Sequence, residues 1–169
     1  MTIRIGNGFD AHAFAQGRPL VLGGVTIPHD HGLVGHSDAD AVIHAVVNAL
    51  LGAAALGDIG THFPSSDARW KDQPSTVFLD YTYNLLHQHQ WSISNIDTMI
   101  IAQSPRMGPH IPAMRAHLAA HLFLSIDQVS VKAATTDGLG FPGRKEGIAC
   151  YAVALIERQD NVSRCSPKG

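Results

Sequence analysis

The segment from Asp38 to Leu56 constrains the fold more than any other part of the chain. Val42, Ala45, Val46, Ala49, Leu50 and Ala53 make a helix that is apolar almost all round. One polar stripe, through Asp40, His44 and Asn48, breaks the pattern. Such a helix needs more cover than one sheet of a small domain provides, so the pattern predicts self-association. Ser37 or Asp38 is the expected N-cap, and Gly57 stands at the expected C-cap.

Strand-like segments flank this helix at Thr2 to His12, Pro19 to Ile27, Ser92 to Gln103, Gln128 to Thr136 and Gly147 to Arg158. The last is apolar on both faces and predicts a strand covered on both sides. A second helix is expected from near Ser75, with Phe78, Thr82, Leu85, Leu86 and His89 on one stripe. A third begins near Pro109 to Pro112 and carries Ile111, Met114, Leu118 and Leu122. Interspersed strands and helices in 169 residues predict an α/β (α+β) fold: a two-layer sandwich of a mixed sheet and about three helices. Residues 1–159 read as a single domain and 160–169 as a flexible polar tail.

Several functions are disfavoured at this level. The net charge is −2 with no basic block, which argues against a nucleic-acid partner. No apolar run approaches the roughly 20 residues of a membrane span. Ile3-Arg4-Ile5 follows Met1-Thr2 at once, so no signal peptide is expected; with only Cys150 and Cys165, a reducing cytoplasm is the expected location.

Eleven histidines direct attention to metal or acid–base chemistry. Asp10 and His12, two apart on a strand, share a face. His44, in so apolar a helix, needs a partner for its imidazole. Together Asp10, His12 and His44 offer three zinc ligands and an open fourth position, although sequence separation alone does not join them. Other histidines compete. His29-Asp30-His31, between Pro28 and Gly32, reads better as a solvated turn. His117 and His121 have ligand spacing but no acid between them, and read as a polar helix face. The run from Ala133 to Arg144 ends a strand in Thr135, Thr136, Asp137, glycines and Arg144, a donor set suited equally to phosphate or to an ordinary glycine-rich turn. Gly57 to Gly60 with Phe63 to Asp67 is a second candidate ligand loop.

Six segments stand out together: Gly8-Phe9-Asp10-Ala11-His12, Leu22 to Pro28, His36-Ser37-Asp38-Ala39-Asp40 with His44, Leu51 to Gly60, Pro109 to Pro112 and Gly140 to Ile148. In them the chain resembles the 2-C-methyl-D-erythritol 2,4-cyclodiphosphate synthase family. These segments are ordered from Arg4 to Glu157. The resemblance implies a phosphorus–oxygen lyase of non-mevalonate isoprenoid synthesis (the MEP pathway), a homotrimer with active sites between adjacent subunits. In the implied reaction the substrate's 2-phosphate attacks the β-phosphorus of its CDP group and expels CMP. The resemblance assigns one zinc per subunit to Asp10, His12 and His44, and magnesium or manganese, with the substrate diphosphate, to Asp137. It places His36 and Ser37 at the phosphate, and His36 with Thr135 at the transition state. Asp58, Ile59 and Gly60 would hold the methylerythritol, beside Phe63, Pro64, Ser65, Ser66 and Asp67. Ala102, Gln103, Ser104, Pro105 and Arg106, with Ala134, Thr135, Thr136 and Asp137, would form the cytidine pocket, and Phe141 and Arg144 would contribute from the next loop. A central cavity near Phe9, Arg144 and Glu146 would accept an isoprenoid diphosphate.

These roles suit phosphoryl transfer, which needs positioning and charge neutralisation more than a strong base. Three positions depart from the family pattern: Asn48 for Asp, Ser65-Ser66 for a more acidic loop, and Asp137 for Glu. The competing readings are a zinc-dependent phosphohydrolase, which needs a metal-activated water and a base, and a histidine-rich metal carrier.

Overall fold

The structure is a computed structural model that describes residues 1–158, so the tail expected at 160–169 and Cys165 lie outside the described residues. A five-stranded mixed sheet has the order β4-β1-β7-β5-β6. Its strands are β1 (Thr2–Gln16), β4 (His31–Leu33), β5 (Ser92–Ile101), β6 (Val129–Ala134) and β7 (Gly147–Arg158). The β5–β6 pair is parallel; β1–β4, β1–β7 and β5–β7 are antiparallel. Helices α1 (Ala41–Ala54), α3 (Thr76–Gln88) and α4 (Ile111–His121) form the second layer. One-turn helices α2 (Ile59–His62) and α5 (Gly140–Gly143) bring the count to five, where about three were expected.

The expected strand from Pro19 to Ile27 is instead a hairpin of β2 (Leu20–Leu22) and β3 (Val25–Ile27). Gly23 and Gly24 form its two-residue turn at φ 58 and 74, a conformation that needs glycine-like freedom at both positions.

Helix α1 starts and stops inside its expected limits. Ala39, at φ 59, turns the chain, and Asp40 is the N-cap rather than Ser37 or Asp38. The Asp40 carboxylate accepts the N–H groups of Val42 and Ile43, and also those of Gly23 and Gly24. It thus fastens the β2–β3 turn to the start of α1. At the other end the C-cap is Ala55 rather than Gly57: it takes the left-handed conformation and closes on the carbonyls of Gly52 and Leu51. In the second helix the stripe ends at Leu86; Leu79 is buried within it, and His89 is an exposed cap.

The need for a partner to cover α1 is not borne out in the form expected. Every α1 residue except Asn48 and Gly52 is buried within the single chain. The sheet lies unusually close on one side: a Cβ on Gly6 or Gly8 would fall 2.1 Å from the Ala49 oxygen or 2.0 Å from the Ala45 oxygen. Ala152 and Ala154 of β7 are buried on the helix-facing side, and α3 packs along another side of α1. The uncovered apolar surface is the sheet's other face, where Ile3, Ile5, Phe9 and Tyr151 are exposed. For the same reason β7, apolar on both faces, is covered by helices on only one.

Candidate functional site

Alternation along β1 turns Asp10 and His12 toward α1, where His44 meets them. Asp10 Oδ2 lies 2.8 Å from His12 Nε2 and 2.9 Å from His44 Nδ1, and the two ring nitrogens are 3.2 Å apart. Zinc donors at about 2.0–2.1 Å in a tetrahedron stand about 3.3 Å from one another, so this nearly equilateral triangle fits the ion. The remaining ring nitrogens are already engaged. His12 Nδ1–H donates to the Val34 carbonyl at 2.6 Å, leaving Nε2 for a metal. His44 Nε2–H donates to the Ser75 hydroxyl at 2.9 Å, and the Ser37 hydroxyl lies 3.2 Å away. Ser75 donates in turn to Asp38, which also accepts the Ser75 N–H. Such outer hydrogen bonds fix the tautomer and ring plane of a ligating histidine.

Burial pushes the Asp10 carboxyl up, but hydrogen bonds from His12 and His44, together with their charges, outweigh it and hold the group well below the carboxylate range. Burial pushes His12 down, yet its hydrogen bond to Asp10 and that charge raise it above the ordinary imidazole value. The Asp40 carboxyl is pushed up to about 6 by complete burial, with the charge of Asp38 adding to the rise against the N–H bonds it accepts.

A cavity of about 170 Å³ opens on the two histidines of the triad. His36, Ser37, Ile59, Phe63 and Ser65 line it with His12 and His44; so do Trp70, which the sequence reading passed over, and Phe78, read there only as part of a helix stripe. The signal for Ser75 and Asp38 was present in the sequence, as a helix start and as part of the His36-Ser37-Asp38 motif. Arg18 was missed: its guanidinium donates to the carbonyls of Gly35 and Ser37, at 2.9 and 2.5 Å, and so brackets His36. Asn48, where the family pattern has Asp, accepts the Ile59 N–H at 2.9 Å and ties α1 to the Asp58–Gly60 segment.

Other expected site residues stand apart. Asp58 caps α2 through the Thr61 N–H and hydroxyl; Gly60 lies within that turn. Pro64 and Ser66 are exposed; the Asp67 carboxylate faces Arg69, but its backbone carbonyl lies 3.4 Å from His36 Nε2, at the border of the site. Ala102, Gln103, Pro105 and Arg106 line a separate cavity of about 330 Å³ with Ala134 and Thr135. Ser104 borders a third cavity. Strands β7 and β5 lie between β1 and β6, so the triad and the end of β6 are about 14 Å apart across the sheet. His36 and Thr135 therefore face different cavities within one chain. Thr136 donates to the Leu139 carbonyl, and the Thr135 hydroxyl to an exposed Asp137. Phe141 is partly exposed, and Arg144 pairs with Glu146 through two hydrogen bonds. His29-Asp30-His31 is more ordered than a solvated turn, since His31 begins β4. His121 pairs with Asp80 at 2.6 Å, and His62 donates to the Leu56 carbonyl.

Sheet, helix layer and triad together define an α+β protein with a His–His–carboxylate cluster whose two histidines border a cavity. The chain belongs to the YgbB family, whose model matches residues 3–157. It is similar to 2-C-methyl-D-erythritol 2,4-cyclodiphosphate synthase of Pseudomonas fluorescens, with 54% identity over 92% of this chain and 99% of that protein. The Shewanella frigidimarina protein of the same name is 55% identical over 94% of this chain and 100% of its own length. Among solved structures, the bifunctional IspDF of Campylobacter jejuni aligns with a TM-score of 0.90 and 41% identity. That alignment covers 94% of this chain and 43% of the other, so this chain spans less than half of the bifunctional protein. The IspF–CDP complex from Plasmodium falciparum aligns with a TM-score of 0.82 and 34% identity, over 94% of this chain and 97% of that one.

Proposed function

We propose that this chain converts 4-diphosphocytidyl-2-C-methyl-D-erythritol 2-phosphate to 2-C-methyl-D-erythritol 2,4-cyclodiphosphate and CMP, as a cytoplasmic phosphorus–oxygen lyase of the MEP pathway. The observation that carries this reading is the donor triangle of Asp10, His12 and His44 opening on the cavity walled by His36 and Ser37. The names of the curated relatives support it. Asp10, His12 and His44 would hold zinc, which when bound polarises and neutralises a phosphate oxygen. Asp137 offers the single carboxylate that suits magnesium or manganese held mainly by substrate phosphates.

The attacking group is already an anionic phosphate, so no side chain has to remove a proton from it. A 2-phosphate oxygen bonds to the β-phosphorus, the β-phosphorus–oxygen bond to CMP breaks, and the leaving phosphate carries the electron pair away. His36 and Ser37 orient the phosphate, His36 being held by the Arg18 clamp on either side of it. Ile59, Phe63, Trp70 and Phe78 give an apolar wall for the carbon skeleton. Ala102 to Arg106 and Ala134 to Asp137 receive the cytidine, a role in keeping with the CDP complex of the Plasmodium falciparum relative.

The substrate would bridge two cavities that lie apart in one chain, which favours active sites completed by an adjacent subunit. The exposed face bearing Ile3, Ile5, Phe9 and Tyr151 is the surface a homotrimer would cover. Phe9, Phe141 and the Arg144–Glu146 pair would then surround a central cavity able to take an isoprenoid diphosphate.

Phosphorus NMR of the product decides the reading. Cyclic diphosphate with equimolar CMP supports the cyclase; inorganic phosphate or a linear diphosphate supports the phosphohydrolase and refutes it.

A further inference from the structure

A second group of metal-capable side chains shares no residue with the first. The ligand atoms of His29, Asp30 and His31 lie within 4.8 Å of one another. Asp30 Oδ1 is 2.9 Å from His31 Nδ1 and 3.4 Å from His29 Nδ1. Those separations bracket the about 3.3 Å between donors on a tetrahedral zinc ion. In an extended segment Asp30 would point away from both histidines; here the chain turns, and its carboxylate reaches both rings.

The fold holds this arrangement from three directions. The His29 ring stacks on Phe14 with centroids 5.2 Å apart, and its Nδ1 lies 2.9 Å from the His31 carbonyl oxygen and 3.2 Å from the His31 amide nitrogen, backbone contacts that an ion bound at Nδ1 would replace. Pairing with β1, Gln16 opposite His31, sets the register of β4. Gly32 is pressed against the Pro19 and Arg18 carbonyl oxygens, 2.4 and 2.5 Å from where a Cβ would stand, so the turn has no room to rotate. His29 and His31 are partly buried, while Asp30 is 79% exposed. All three border a cavity of about 510 Å³, with Ser104 and Lys145 on its wall.

We propose that His29, Asp30 and His31 form a second divalent-cation site, for zinc or a similar first-row ion, with its open positions facing this cavity. Two imidazoles and one carboxylate are a donor set for such ions rather than for calcium or magnesium. The local, partly exposed ligands make this the weaker of the two sites. The inference does not rest on the proposed cyclase activity.

The test titrates zinc-loaded protein with Co²⁺ and counts bound ions per chain after free metal is removed. Wild type should bind a second ion, and Asp30→Asn and His29→Asn should each weaken it by more than about ten-fold. Zinc at the first centre and product formation should be unchanged in both variants. His44→Ala, which breaks the first centre, should still bind one Co²⁺ at the second, so the two sites fail separately. Asp30 is exposed enough for its amide variant to fold normally. A wild-type stoichiometry that stops at one ion, or a second ion that survives both substitutions, would overturn the proposal.

Discussion

Replacing Gly8 by alanine probes how the metal centre is built. The new Cβ would stand 2.0 Å from the Ala45 oxygen and 2.7 Å from the Ala49 nitrogen. Both are backbone atoms of α1, so no side-chain rotation relieves the contact. Ordinary separation at 3.4 Å requires β1 and α1 to part by about 1.4 Å at that point. Gly8 lies two residues before Asp10 on the same face of β1, and Ala45 directly follows His44. The parting therefore falls on the Asp10–His44 edge, now 2.9 Å, and stretches it toward roughly 4 Å, beyond what a tetrahedral zinc spans. Overpacking that side chains can absorb costs roughly 1–3 kcal/mol, and a clash between two backbones belongs at the top of that range. We expect Gly8→Ala to lose about 3 kcal/mol in urea unfolding and to bind zinc more than about 100-fold more weakly. Gly17→Ala is the comparison: φ is 78 and nothing lies within 4 Å, so only backbone strain of about 1–2 kcal/mol applies and zinc is retained. Gly8→Ala protein that keeps one zinc per chain after dialysis, with stability within about 0.5 kcal/mol of wild type, would refute the reasoning.

Four further outcomes follow from the same geometry. His44→Ala leaves two ligands, so zinc content after dialysis and cyclisation should both fall by more than about 100-fold while the oligomeric state is kept. Arg18→Ala should lower kcat about ten-fold or more at unchanged zinc content, with faster amide exchange at residues 35–37, because it frees the carbonyls around His36. Asp40 has a raised folded-state value, so its proton is favoured in the native state. Its contribution is therefore fully present below pH 3.8 and is lost as pH rises to about 6, by about 3 kcal/mol; urea unfolding of wild type against Asp40→Asn, from pH 3.5 to 6.5, should show that slope in wild type alone. Asp137→Ala should raise the magnesium needed for half-maximal rate several-fold without changing zinc content, whereas Asp137→Glu should keep activity; an unchanged magnesium curve for the alanine variant would make Asp137 an ordinary turn residue.

Much of this architecture was readable before any coordinates. Alternation placed β7 at its observed limits, and the pairing of Asp10 with His12 followed from the two-residue period of a strand. The cover on α1 was misjudged because the close approach of β1 depends on Gly6 and Gly8, whose effect is the absence of a side chain and leaves no mark in a hydrophobic pattern. The hairpin at Gly23-Gly24 did carry a signal, since two adjacent glycines between Leu20-Val21-Leu22 and Val25-Thr26-Ile27 mark a tight turn, but one strand was read straight through it. The joining of His44 to β1 depends on contacts 32 and 34 residues apart, which local periodicity does not encode; the family resemblance pointed to it instead. The Arg18 clamp was invisible for another reason: it binds carbonyl oxygens, which every residue carries.

The acceptor that orients His12 belongs to Val34, a half-exposed residue just beyond a three-residue strand at the edge of the sheet. Such edges open locally at much less cost than the core. Each opening would take the acceptor from His12 and loosen the orientation of its ring, while His44 keeps its place in the buried helix α1. Breathing of this peripheral strand would then open the centre to metal exchange without unfolding of the core.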